Sequence, residues 1–456
     1  MKLAPHLNRS RSEDQQIQRY PVQLLQQLIS FNTSNPPGHE AACIDYIRTI
    51  LENIGIPCCI IASDNERPNL IARIKGSGKA PPLMLYGHVD VVGVDNQTWT
   101  QDPFEGQLID GFVWGRGALD MKGGVAMMIA AFMRAYVEGT YLAGDVILLV
   151  VSDEEAGGEY GAKYLVEQHP HLFDGVKYAI GEFGGFSLYV GNRKLYPIMI
   201  AEKQVCWLRA TIRGDGGHGS LSGNGGTNSM AKLADMLLRL QRAKWPVHVT
   251  PAAAHMIHAM ADALSWPTGT VLRQLLRPRL TNQVLQALGD KGRLFDPLLH
   301  NTVNATIVQG GEKINVMPSM IVVQLDGRLL PGFKPEQLIS ELHNIIGQDI
   351  ELEVIKYDPG ASLPDMGLFP LLSRLLKDAD PAAHPVPMLL PGGTDGRFFA
   401  QLGIQTYGYL PMPLPAELQF TSLIHAADER VPARAIEFGT DVLYSLLQQY
   451  GHDESV

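Results

Sequence analysis

Cysteine is scarce. The 456-residue chain has four, Cys43, Cys58, Cys59 and Cys206, and none forms a Cys-x-x-Cys pair. That argues against a disulfide frame or a thiolate zinc site and fits a reduced, cytoplasmic protein. No apolar run approaches the roughly 20 residues that a membrane helix requires, so no membrane association is expected. The opening MKLAPHLNRSRSEDQQ has no long apolar core and does not read as a secretory signal. Basic excess is also missing: 37 Lys and Arg stand against 47 Asp and Glu, for a net charge of −10. Nucleic acid, which needs concentrated Lys and Arg, is therefore not the expected partner. Any metal here must be held by His, Asp and Glu.

What remains is ordinary globular material, 45% hydrophobic and 18% charged. The length predicts two or three domains. Residues 20–200 alternate strand and helix patterns. Apolar runs such as LMLY, DVILLVV and YAIG read as buried strands, and VAMMIAAFMRAYVEG as a buried helix. The turn TSNPPGHE carries an N-cap signal for a helix reaching Ile54. The texture changes near residue 201. QVCWLRATIRGDGGHG alternates as a half-buried antiparallel strand, and a strand–helix–strand–strand–helix–strand order follows to about 357. Residues 246–300 interrupt that order as mixed helix and loop, with apolar Trp245, Met256, Ile257, Met260, Leu264 and Trp266 available for packing. From 358 the parallel-sheet texture returns. The expected fold is α/β: a mixed, mostly parallel sheet flanked by helices, in residues 1–200 and 358–456, with an inserted two-layer α/β domain at 201–357. Residues 1–19 are polar and expected to fray.

The acids and histidines fall where such a fold places chemistry, at strand ends and in the loops after them. These are His88 with Asp90, Asp120, the pair Glu154 and Glu155, and Glu182, with His425 far away in the last segment. Each has an ordinary reading by itself: Asp120 as a helix cap, the glutamates as solvated loop charges, the histidines as core or surface residues. Together they would repel unless protonated or metal-bound. Two divalent cations balance three carboxylates and a hydroxide, and imidazole with carboxylate suits zinc, cobalt or manganese.

The segments LMLYGHVDVV, WTQDPFEGQLIDGFVWGRGALDMKGG, VSDEEAGG, IGEFGG, GDGGHGS, NVMPS, GGTDGRFF and IHAADERV, in that order, resemble the co-catalytic zinc metallopeptidases. That family includes acetylornithine deacetylase, succinyl-diaminopimelate desuccinylase, aminoacylase, glutamate carboxypeptidase and carboxypeptidase S. The resemblance implies a zinc-exopeptidase-like catalytic domain and a ferredoxin-like lid or dimerisation domain. It implies two zinc ions: His88 and Glu182 on one, Glu155 and His425 on the other, and Asp120 bridging. Asp90 then orients His88 from behind. Glu154 is the general base acting on a water between the metals, and it returns the proton to the leaving amine.

The resemblance further implies that His218 stabilises the tetrahedral oxyanion, often from a partner subunit. Arg397 is expected to hold a substrate carboxylate, Asn315 to touch substrate, and Arg328 to be structural. Many members place a proline soon after the serine of the His218 loop, whereas this chain reads GHGSLSGNG. Glutamate rather than aspartate at Glu182 points to deacylases and carboxypeptidases. The expected activity is hydrolysis of an amide bond next to a free carboxylate, in an N-acyl amino acid or short peptide, by a possible homodimer. The alternatives are an aminopeptidase-type dipeptidase and a metal-binding interaction protein without catalysis.

Overall fold

The computed structural model describes residues 16–221, 228–264 and 266–452. The chain divides into two units: Met1–Ile200 with Asp365–Met388 and Thr394–Val456, and Ala201–Pro364 with Leu389–Gly393.

The first unit is built on a nine-stranded sheet. Across it the strands run Cys58–Ile61, Asn69–Ile74, Val146–Val151, Leu83–His88, Tyr178–Gly181, Gln405–Gly408, Arg193–Glu202 and Ala383–Leu390, with Leu188–Val190 paired beside Arg193–Glu202. The four strands from Val146–Val151 to Gln405–Gly408 are parallel, while Cys58–Ile61 pairs with Asn69–Ile74, Asn69–Ile74 with Val146–Val151, and Arg193–Glu202 with Gln405–Gly408 in antiparallel fashion. The apolar runs are central because both their faces are covered. Alternation sends Met84 and Tyr86 into a cluster with Ala162, Leu165, Phe398 and Phe399. It turns Gly87 towards Met121 and Val125, at the start of the buried helix Lys122–Val137. That helix packs in turn on Pro21–Ile29 and Ala433–Gln449. Gly181 is required by close approach, since a Cβ there would lie 2.3 Å from the Tyr86 ring.

The second unit carries a four-stranded antiparallel sheet in the order Thr302–Gln309, Met320–Leu329, Gln204–Arg213, Glu351–Asp358. Helices Ser229–Gln241 and Pro335–Ile346 pack with it. Leu208, Ala210, Ile212, Val323 and Leu325 meet Met236, Leu338 and Leu342 in one core. With two helices between the strand pairs, this is the ferredoxin-like arrangement.

Several local expectations shift. The segment 246–300, expected as mixed helix and loop, forms four helices joined by short loops, Pro251–Ala263, Thr268–Gln274, Pro278–Leu288 and Gly292–Leu299. Pro251 and Pro278 open two of them, where a missing N–H costs nothing. Ile257 is buried, but Trp266 is 83% exposed. Glu40 precedes helix Ala41–Asn53 yet does not cap it; its carboxylate accepts from Arg67 in the interior. Expected fraying at 1–19 falls largely outside the described residues, while Ile17–Arg19 form a 3₁₀ turn with Ile17 buried.

Candidate metal centre and catalytic site

Three adjacent parallel strands deliver most of the site. Leu83–His88 ends on His88 itself. Val146–Val151 on one side leads through Ser152 and Asp153 into Glu154 and Glu155, and Tyr178–Gly181 on the other leads directly into Glu182. The loop after Val151 turns because Asp153 adopts a left-handed φ of 71°. Asp153 is held there by the Arg67 guanidinium at 2.9 Å, by Asn35 and by the Tyr160 amide. Such a backbone persists only where its surroundings over-determine it.

His88 Nε2 lies 3.3 Å from Asp120 Oδ1 and 3.5 Å from Glu182 Oε2. His425 Nε2 lies 3.3 Å from Asp120 Oδ2 and 3.2 Å from Glu155 Oε1. Asp120 thus turns one oxygen to each imidazole, and the peptide after it is cis. Donor atoms of His88, Asp120 and Glu155 fall within 4.8 Å of one another, as do those of His88, Glu154 and Glu182. Within the first unit the structure therefore gathers His88, Asp120, Glu154, Glu155, Glu182 and His425.

Asp90 is fully buried and meets the His88 ring with both its backbone oxygen and its carboxylate. The atom that fixes His88 is the Asp90 backbone oxygen, 3.0 Å from Nδ1, which leaves Nε2 to face the acids. The Asp90 carboxylate is 3.5 Å from that ring. It also accepts from Asn35 and from the backbone amides of both Glu154 and Glu155. One carboxylate thereby sets the loop that carries two functional acids.

The site is short of positive charge. Burial drives Glu182 up to about 8, against the opposing pull of His88. Burial, then the charge of Glu182, pushes Glu154 well above the usual carboxylate range, and burial raises Glu155 as well. Hydrogen bonding to Asp120 and Glu155 lifts His425 to about 10. For Asp120, burial is outweighed by the bonds from His425 and His88, so its carboxyl is held low. Among the described residues, three buried atoms in the cluster, His88 Nε2, Glu155 Oε1 and Glu182 Oε1, have no well-directed hydrogen bond. Buried polar atoms left this way are rare. Nitrogen and oxygen donors that converge, lack well-directed hydrogen bonds and want positive charge fit divalent cations.

Sequence reasoning missed the residues behind this cluster. Glu429, fully buried, accepts from the amides of Leu119 and Asp120 and pairs with Arg116 at 2.7 Å. Asp395, 1% exposed, has neither carboxylate oxygen hydrogen-bonded, and burial pushes it up to about 7. Their signal was present, as acids inside GGTDGRFF and IHAADERV, but nothing local separates them from surface charges.

Arg397 is 8% exposed and donates to the carbonyl oxygens of Thr394 and Gly157, at 2.7 and 3.4 Å. His218 and Asn315 belong to the second unit, at a short antiparallel pairing of Gly217–His218 with Val316–Met317. His218 is exposed, and the Ser220 amide donates to its Nδ1, which puts the neutral ring's proton on Nε2. The rest of that loop, 222–227, lies outside the described residues. Arg328 donates to Asp326, a structural tie.

The model of peptidase family M20/M25/M40 matches residues 84–449. Aminoacylase-1 of Sus scrofa is 24% identical over 443 residues, covering 93% of this chain and 94% of its own. The N-fatty-acyl-amino acid synthase/hydrolase of Xenopus tropicalis is 26% identical over 382 residues, covering 82% of this chain and 73% of its own. Among solved structures, an M20 family metallo-carboxypeptidase from Sulfolobus solfataricus superposes with a TM-score of 0.67 at 17% identity, covering 95% of this chain and 99% of its own. The fold, the convergent donors and the span of the match lead to one assignment: the chain belongs to peptidase family M20/M25/M40.

Proposed function

We propose that this protein is a two-metal hydrolase that cleaves the amide bond of an N-acyl amino acid, or of a short peptide, beside a free carboxylate. The observation that carries the reading is the bridging stance of Asp120, with His88 and Glu182 to one side and His425 and Glu155 to the other. We assign those five as metal ligands and zinc as the metal, since imidazole and carboxylate suit it. Two such cations, when bound, acidify a shared water and polarise the scissile carbonyl.

The chain's own groups do the rest. Glu154 takes the water's proton and returns it to the leaving amine. Asp90 keeps Glu154 and Glu155 in register through their amides, and its carbonyl holds His88 in the right tautomer. His218, with its proton on Nε2, is suited to donate to the oxyanion. We assign Arg397 to the substrate carboxylate and Asn315 to substrate contact. We assign the second unit as lid and homodimer surface, and the four free thiols suit a cytoplasmic setting.

The names of the two relatives, an aminoacylase and an N-fatty-acyl-amino acid synthase/hydrolase, favour N-acyl amino acids over N-free dipeptides. The test is a panel of N-acyl amino acids, their carboxyl-amidated analogues, and N-blocked and N-free dipeptides, offered to zinc-loaded protein. Turnover of N-acylated substrates with a free carboxylate is expected. Turnover of N-free dipeptides alone would instead identify a dipeptidase, and inertness towards every amide would leave a metal-binding protein without this activity.

A further inference from the structure

His425 differs from the other proposed ligands. Its side chain is 49% exposed. Its backbone has a φ of +60° on the irregular stretch between helix Phe420–Leu423 and strand Arg430–Pro432. No strand end aims it, so something else must.

A continuous chain of side chains reaches it from the long loop before Asp120. Gln97 Nε2 donates to the His425 carbonyl oxygen at 2.8 Å. Gln97 Oε1 accepts from Arg116 Nη2 at 2.7 Å. Arg116 Nη1 donates to the Ala426 carbonyl at 3.0 Å and to Glu429 Oε2 at 2.7 Å. Glu429 Oε1 accepts the amides of Leu119 and Asp120, at 2.8 and 3.1 Å. The path thus runs from the amide of Asp120 to the carbonyl of His425. The orientation of the Gln97 amide is forced, because guanidinium only donates and a carbonyl only accepts. Thr100, three residues on, holds the same stretch through Asp428 Oδ1. Arg116 is itself fixed, at 1% exposure, with its guanidinium over the Trp99 ring.

We propose that Gln97 is a positioning residue for His425, and that through Arg116 and Glu429 it couples the two arms gripping the cation on the His425–Glu155 side. The hydrogen bonds of the Gln97 amide run to the His425 backbone and to Arg116. Gln97 acts by holding the backbone of a candidate ligand that no strand end aims. Outer partners of this kind are worth about 10–100-fold in metal affinity. The inference rests on the reading of His425 as a ligand.

The experiment titrates metal-free protein with zinc against a chromophoric chelator, so that successive equivalents are resolved without an assay of activity. Gln97→Glu keeps an acceptor for Arg116, loses the donor to His425 and adds a negative charge. Gln97→Met removes both bonds at similar volume. Both variants are expected to bind the first equivalent as the parent does and the second about 10–100-fold more weakly. His425→Ala provides the reference for loss of that site. If both Gln97 variants keep parental affinity for both equivalents while His425→Ala loses one, the positioning role is overturned and the ligand assignment stands. If His425→Ala also binds both equivalents as the parent does, the ligand assignment fails and the positioning role falls with it.

Discussion

The two sheets make opposite use of buried polar residues. At the carboxyl ends of the parallel strands, the first unit collects His88, Asp90, Glu182 and the loop of Asp153, Glu154 and Glu155, with Arg67, Arg116 and Glu429 behind them. The antiparallel sheet of the second unit spends its inward face on Leu208, Ala210, Ile212, Val323 and Leu325. Its buried lysine, Lys203, is tied to the His300 carbonyl and the Thr302 hydroxyl. Parallel strands end together at one edge, so unrelated segments bring side chains to one place. Antiparallel strands alternate their ends and give a stable half-buried surface instead. The first architecture gathers charge, and the second gathers apolar side chains.

That contrast can be broken by separating chemistry from stability. The largest effect is expected at His88. His88→Ala should abolish turnover and metal retention together, measured by metal analysis of the folded variant beside its activity. Next is Glu154→Gln, which should lose about 10²–10⁴-fold in kcat while retaining both metals; retained turnover would remove Glu154 from its role. His218→Ala sharpens the comparison from the other unit. It should cost about 10²–10³-fold in kcat, the worth of one oxyanion donor, with zinc content unchanged.

Removing the metals should give the first unit a pH dependence of definite sign. Without them Glu182 sits near 8 rather than 4.5, and His425 near 10 rather than 6.5. Both values are raised, so the folded state binds more protons than the unfolded state across those intervals. The stability contributed is present below 4.5 and 6.5 and lost as pH rises through 8 and 10. Chelated protein should therefore melt progressively lower from about pH 6 to about pH 9, and metal-loaded protein less so. Scanning calorimetry with and without chelator checks this, and zinc binding near pH 7 should release protons. The smallest effect on activity is expected from the second sheet's core. Leu325→Ala should cost about 2–5 kcal/mol of stability in denaturant unfolding yet leave kcat of the folded, metal-loaded protein nearly unchanged.

Legibility followed the range of the interaction that decides each feature. His88, Glu154, Glu155 and Glu182 could be read because apolar runs end next to them. The parallel centre and the ferredoxin-like order followed from periodicity. Strand Arg193–Glu202 did not, because Pro197 sits inside RKLYPIMIAE and proline argues against an interior strand. The helices of 246–300 were partly hidden by the prolines that start them. Gln97, Arg116 and Glu429 were illegible for a different reason: their partners lie about 310–330 positions away in some bonds, and such pairing is settled only by the completed fold. Asp90 shows the limit within a correct motif. Its place beside His88 was readable, but its hold on the amides of Glu154 and Glu155 depends on a neighbouring strand.

Anomalous diffraction from crystals of zinc-loaded protein tests the central claim most directly. Two peaks are expected, one among His88, Asp120 and Glu182 and the other among Asp120, Glu155 and His425. A single peak, or peaks that leave Asp120 unshared, would contradict the two-cation site on which the proposed hydrolysis rests.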